Sequence, residues 1–100
     1  MKKAFFIIFL LSVGLFLQAQ TVSMTYYNNG QVKSSTYLNG ENSERVTYFK
    51  NGKLKEIARF VNGKPHGLWL AYDKHETLVS QGNYINGKKS GNWLVYNEID

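Results

Sequence analysis

The side chains able to do chemistry are few and scattered. His66 and His75 are the only histidines, and no second histidine stands at a metal-ligand spacing from either. His66 sits in a Gly-bounded loop and His75 in a turn, where both read as exposed turn residues rather than as a base or a ligand. Seven carboxylates (Glu41, Glu44, Glu56, Asp73, Glu76, Glu98 and Asp100) fall mostly near turns or at the C-terminus. Paired acid/base work needs two of them across a cleft, which a flat sheet rarely offers. There is no cysteine, no glycine-rich phosphate loop and no nucleophile elbow. The expectation is a protein that is not an enzyme and that has no catalytic residue, cofactor or metal site.

Aromatic residues are the better candidates. Trp69 and Trp93 hold equivalent slots in successive repeats and should point to the same side of whatever element carries them. Tyr48, Tyr72 and Tyr96 recur at the same interval. Such residues either stack into a ladder that replaces a core or anchor a protein, a peptide or a sugar ring. The candidate partner-binding face is therefore Trp69, Trp93, Tyr48, Tyr72 and Tyr96, with one ladder expected as core and the other as interaction surface.

The elements that position them are strands. Five of the eight glycines after the N-terminal leader stand in Asn-Gly, at Asn29-Gly30, Asn39-Gly40, Asn51-Gly52, Asn62-Gly63 and Asn86-Gly87. Both residues tolerate the positive φ of a tight type I′ turn, so Asn-Gly is a strong hairpin signal. Tyr, Phe, Val, Ile and Leu fill the intervals, and no helical period appears. The expected fold is all-β: a single-layer twisted antiparallel meander of repeated β-hairpins with about seven strands, preceded by a signal-peptide helix.

Aligning the chain with itself gives a period of about 24. Tyr26, Tyr48, Tyr72 and Tyr96 share one slot; Tyr37, Phe60 and Tyr84 share a second. The repeats run roughly over 26–47, 48–71 and 72–96. Strand alternation puts Val46, Leu70 and Leu94 beside the tyrosines on one face. Trp69 and Ala71, Trp93 and Val95, and in the earliest copy Arg45 and Thr47, take the other. With both faces partly apolar, the sheet either curls around one of them or leaves the second for a partner.

Met1-Lys2-Lys3 followed by the apolar run Ala4 to Leu17 has the layout of a secretory signal peptide over residues 1–19, ahead of a repeat domain over 20–100. Fourteen helical residues reach about 21 Å, short of a hydrocarbon core of roughly 30 Å. Export to the periplasm, the cell envelope or the medium is expected. Without cysteine, neither a lipoprotein anchor nor a disulfide is available. The stretch from Gln20 to Asp100 makes one small domain, held by packing and sheet hydrogen bonds alone. Removing Lys2 and Lys3 from a chain of net charge +5 leaves +3, spread over successive turns. That distribution suits a solvated surface with weak attraction for an anionic membrane surface, and nucleic acid is not expected as a partner.

The stretch Asn62-Gly63-Lys64-Pro65-His66-Gly67-Leu68-Trp69-Leu70-Ala71-Tyr72 resembles the bacterial MORN-variant repeat, roughly N-G-K-x-x-G-x-W-x-x-Y-x-x-N-G. Asn86 to Tyr96 repeats it, with Gly91 and Trp93 in the marked slots, and Tyr48 to Leu54 matches its Y-x-x-N-G-K-L segment. Two departures stand out. The first unit is one residue shorter and offers Ser43, Glu44 and Arg45 in place of Gly-x-Trp. In the third unit His75-Glu76 replaces Asn-Gly, and because positive φ is costly for Glu, that turn is expected to differ.

The family includes proteins labelled YwqK-type antitoxins, thought to neutralise a toxin by direct binding. The resemblance thus implies protein–protein recognition, with a toxin or an envelope component as partner in an antitoxin- or immunity-like role. The exposed edge strand at the C-terminal end adds homo-oligomerisation as a physical expectation. The alternatives are attachment to a membrane surface and attachment to the cell wall or a glycan.

Overall fold

The computed structural model describes residues 21–96. The leader over 1–19 and its expected helix lie outside the described residues. Seven strands follow one another: β1 Thr21–Tyr26, β2 Val32–Asn39, β3 Asn42–Tyr48, β4 Leu54–Val61, β5 Lys64–Tyr72, β6 Leu78–Ile85 and β7 Lys88–Val95. They form one open antiparallel sheet in the order β1-β2-β3-β4-β5-β6-β7. Every strand pairs only with its neighbours in sequence, as short hairpin connections require.

The connections are of two kinds, one at each end of the sheet. Residues 27–31, 49–53 and 73–77 join β1 to β2, β3 to β4 and β5 to β6. In these loops Tyr27, Phe49 and Asp73 donate their N–H groups to the carbonyls of Gln31, Lys53 and Thr77. Gly30 and Gly52, at φ 89°, donate back to the carbonyls of Tyr27 and Phe49. The paired Asn does not take positive φ here; its Oδ1 accepts the N–H of Gln31 or Lys53 at 2.9 Å. At the opposite end the turns are two residues long. Asn62-Gly63 and Asn86-Gly87 put both residues at positive φ, the I′ geometry anticipated for Asn-Gly. Asn39 instead closes β2 against Asn42, and Gly40 alone takes positive φ, as in a II′ turn. The same dipeptide thus serves three turn types.

The third long loop corrects an expectation. It follows the path of the other two, with Glu76 at φ 71° and its N–H on the Asp73 carbonyl at 2.9 Å. What holds it is Asp73, whose Oδ1 accepts the N–H groups of both His75 (2.8 Å) and Thr77 (3.0 Å). A carboxylate fastened to two amides takes over the restraint that Asn-Gly supplies elsewhere.

Besides the one-residue shifts beside the long loops, at Lys33, Lys55 and Val79, the strands that carry the indoles, β5 and β7, each have a wider bulge. Between the pairs Ala58↔Trp69 and Phe60↔Pro65, Arg59 alone stands opposite His66, Gly67 and Leu68. Between Gln81↔Leu94 and Asn83↔Ser90, Gly82 alone stands opposite Gly91, Asn92 and Trp93. Gly67 (φ 107°) and Gly91 (φ 69°) supply the left-handed residue each bulge needs. This is the structural meaning of Gly-x-Trp. The unit without it, β2 with β3, pairs without a break from Ser34↔Thr47 to Asn39↔Asn42.

That difference corrects the second aromatic slot. The interval from Tyr37 to Phe60 is shorter by a single position than the interval from Phe60 to Tyr84. One residue changes the parity of a strand. Tyr37 pairs with Glu44, which pairs on its other side with Arg59, whereas Phe60 pairs with Ser43. Tyr37 therefore lies on the face of Tyr48, opposite Phe60 and Tyr84.

Among the described residues only Ser35, Tyr48, Ala58 and Gly82 are buried. No second layer of described residues covers either face.

Two outcomes follow for the Asp73 loop. Glu76→Gly removes a non-glycine residue from the left-handed region and should stabilise the fold by about 1 kcal/mol, read as a higher urea midpoint. The amide of Thr77, then that of His75, hold the Asp73 carboxyl below its ordinary range against a smaller opposing desolvation. Its contribution is therefore complete above pH ~4 and fades as pH falls through the depressed folded value. Asp73→Ala should flatten that acid limb in a pH series of unfolding curves.

Candidate functional site

Identical positions in this repeat recur on alternate strands. Strands lie about 4.8 Å apart, so Trp69 on β5 and Trp93 on β7 start roughly 9.6 Å from each other, too far for ring contact. Tyr84 on the intervening β6 fills the gap. Its ring centroid lies 4.9 Å from that of Trp69 and 5.1 Å from that of Trp93, the latter edge-on at 85°. Phe60 on β4 extends the row, 6.0 Å from Trp69 at 67°. Four strands thus carry the continuous ladder Phe60–Trp69–Tyr84–Trp93 in the separations and tilts that ring quadrupoles favour.

Each end of the ladder meets a cation. The Arg45 guanidinium lies 5.0 Å from the Phe60 centroid and its Nη2 is 3.7 Å from Glu56 Oε1. Lys89 Nζ sits 4.6 Å from the Trp93 centroid. Arg45 occupies the slot that Trp69 and Trp93 hold in later units, so the ladder stops where an aromatic gives way to a charge that still caps a ring face.

The floor beneath the indoles is made of small residues. Ala58, opposite Trp69, is fully buried. Gly82 occupies the matching position on β6, and a methyl group built there would overlap the Trp93 indole. Beside the bulge, Trp93 Nε1 donates to the Asn83 carbonyl at 3.0 Å. The indoles and the rings between them are half-buried and open to solvent on their outer side.

The tyrosine slot behaves differently. Tyr48 is buried, Tyr72 half-buried and Tyr96 exposed. They lie on the opposite face, where Val46, Ile57 and Leu70 pair across β3, β4 and β5. Burial, and then the nearby Tyr37 phenol, hold the Tyr48 hydroxyl above its ordinary range. Tyr27 Oη donates to the Tyr48 carbonyl at 2.7 Å and ties the first long loop to the end of β3. Tyr48 is thus a structural residue, and the five candidate aromatics divide between the two faces. The repeat pattern alone does not single out Phe60 and Tyr84 as ladder members, Arg45 and Lys89 as its ends, or Ala58 and Gly82 as its floor. The spacing between strands, which forbids contact on alternate strands, is the signal that points to them.

His66 lies in β5 rather than in a loop, half-buried, and its Nδ1 accepts the Asn86 N–H at 3.2 Å. It braces the neighbouring turn. His75 gives Asp73 its backbone amide and a smaller Coulombic pull on the carboxylate. Among the described residues no three His, Cys, Asp or Glu side chains gather as a cation site would require.

Residues 41–62 and 65–86 each match the MORN repeat variant. Each match spans two strands and the long loop between them, β3 with β4 and β5 with β6. No curated protein matches the chain. Among solved structures, TarM is 14% identical with a TM-score of 0.47, over 80% of this chain and 18% of that one. A variant of S. aureus TarM in complex with fondaparinux, α-GlcNAc-glycerol and UDP is 13% identical with a TM-score of 0.48 at the same coverage. The chain thus spans less than a fifth of the length of either TarM chain.

Unequal costs are expected along the ladder. Trp69 has a ring on each side and Trp93 a ring on one. Trp69→Ala should cost about 3 kcal/mol in urea unfolding, and Trp93→Ala about 1 kcal/mol less, the worth of one ring pair. Gly82→Ala should expel the Trp93 indole, shift its fluorescence to the red and cost about 1–3 kcal/mol.

Proposed function

We propose that this chain is an exported, non-enzymatic module that recognises a protein through its tryptophan face. The observation that carries the reading is the half-exposed ladder Phe60–Trp69–Tyr84–Trp93, capped by Arg45 and Lys89, on a sheet face that no described layer covers. Rigid, already stacked aromatics lose little side-chain entropy on binding, and aromatic and arginine side chains are enriched among binding hot spots. The matches to the MORN repeat variant agree with a binding role. The basic and apolar leader supports export. An exported binder of this kind suits an antitoxin- or immunity-like protein facing a toxin or another envelope component.

The test uses photo-cross-linking residues at Ser43 and Ser80, which share the face of Phe60 and Trp69, and at Gln81, which pairs with Leu70 on the opposite face. After irradiation of native envelope and culture medium, one protein recovered stoichiometrically from Ser43 and Ser80 but not from Gln81 is the expected result. Wall glycan or lipid recovered without protein would overturn the proposal in favour of an attachment module. Liposome pelleting that survives moderate salt would identify the lipid case.

A further inference from the structure

The sheet has two edges, and they are built differently. β7 begins with Lys88 and Lys89 and is broken by the bulge at Gly91, two devices that discourage pairing with another strand. β1 has neither. Its sequence, Thr21-Val22-Ser23-Met24-Thr25-Tyr26, contains no charge, no proline and no glycine. Two β-branched threonines, a valine and a tyrosine favour extended backbone. The irregularity in its ladder to β2 lies on the β2 side, where Thr25↔Ser34 gives way to Tyr26↔Val32 past the extra residue Lys33. Among the described residues, the outer edge of β1 is therefore an uncharged run of six residues with β2 as its one neighbour in the sheet.

Its side chains sort cleanly by face. Val22, Met24 and Tyr26 share one face and are 49%, 42% and 59% exposed. Tyr26 Oη lies 3.7 Å from Met24 Sδ, so the three form a single apolar strip. Ser23 and Thr25 take the other face with hydroxyls; Thr25 Oγ1 is 2.7 Å from Ser34 Oγ.

We propose that β1 is the edge through which two copies of this chain pair, antiparallel, about a two-fold axis at Met24. An axis normal to the sheet reverses the strand but keeps its faces, so even-numbered residues must meet even-numbered residues. Met24 then lies against the partner subunit's Met24, and Val22 lies against the partner subunit's Tyr26. Ser23 faces the partner subunit's Thr25 on the polar side. Every apolar side chain meets an apolar one, every hydroxyl meets a hydroxyl, and no like charges are opposed. Of the registers the axis allows, this one brings all three apolar side chains into the seam.

The alternatives at hand fit less well. Two β7 strands in antiparallel pairing over their length would set Lys88 against Leu94 and Lys89 against Trp93, or Lys89 against Val95, and the Gly91 bulge would interrupt the ladder. Joining β7 of one copy to β1 of the next in a translated array is a parallel pairing, because β1 and β7 run in the same direction in a seven-stranded meander. The occupant is therefore a second copy, and the product is one continuous sheet of fourteen strands whose two tryptophan faces point the same way. A seam of about five residue pairs belongs to the small, concentration-dependent class of interfaces.

The absence of cysteine makes the register directly readable. In the chain as recovered from the cell, Met24→Cys should cross-link to itself under mild oxidation, because directly opposed residues in an antiparallel pair meet the Cα separation of a disulfide. Val22→Cys and Tyr26→Cys should cross-link little alone and strongly when mixed. Sedimentation of the unsubstituted chain over a hundredfold concentration range should show a monomer–dimer equilibrium. Met24→Lys should shift it at least tenfold toward monomer, and mixing Met24→Lys with Met24→Glu should restore the dimer, a recovery that a misfolded variant cannot give. A monomer at every concentration would overturn the proposal. So would a dimer that survives Met24→Lys, or one in which Val95→Cys on β7 forms the dominant cross-link.

Discussion

A sheet one layer thick has to find its packing partners sideways, from strand to strand, and a strand spacing of about 4.8 Å sets what can touch what. Rings on successive strands meet; rings on alternate strands do not. A repeat of two strands carrying only one aromatic slot would hold its aromatics two strand spacings apart and gain no stacking. The ladder Phe60–Trp69–Tyr84–Trp93 exists because the repeat has two slots, one on each strand, that fall in register on one face. Small residues below make room for the indoles, and the Gly67 and Gly91 bulges add the slack that lets each indole lie over the neighbouring strand. The fold is stabilised by lateral ring contact where a two-layer domain would use a core, so only Ser35, Tyr48, Ala58 and Gly82 among the described residues leave solvent.

The same constraint explains the first unit. It lacks Gly-x-Trp and is shorter by one residue, and together these remove the bulge and move Tyr37 to the far side of the sheet. There it neighbours Tyr48, close enough for its phenol to add to the burial that raises the Tyr48 hydroxyl. On the near side Arg45 takes the place of an indole and ends the ladder on a cation, as Lys89 ends it on β7. A degraded repeat thus reads as a terminator: repeat arrays need end units that stop propagation of the stack.

The two surfaces proposed for binding differ in chemistry. The tryptophan face is pre-stacked, flanked by positive charge and rigid, as suits recognition of a different molecule. The β1 edge is uncharged, unbroken and self-complementary, as suits a second copy. They are compatible, since pairing at β1 leaves both tryptophan faces open on the same side of the extended sheet.

Much of this was legible in the residues. Turn chemistry is local, so the recurring Asn-Gly pairs determined the number of strands and their meander order, and strand alternation separated Trp69 and Trp93 from Tyr48 and Tyr72. What the residues could not tell lay in relations between strands. The Asp73 loop keeps the path of its Asn-Gly counterparts because a carboxylate two residues from His75 closes on two amides, a compensation visible only once the loop is folded. Which aromatics touch, which tyrosine is buried and which face Tyr37 joins all depend on register, and register depends on bulges whose extra residues look in sequence like ordinary strand. Sequence by itself determined the elements, because they are set by contacts a few residues long. Only the tertiary structure decided the faces, because a single inserted or missing residue reverses every side chain that follows it.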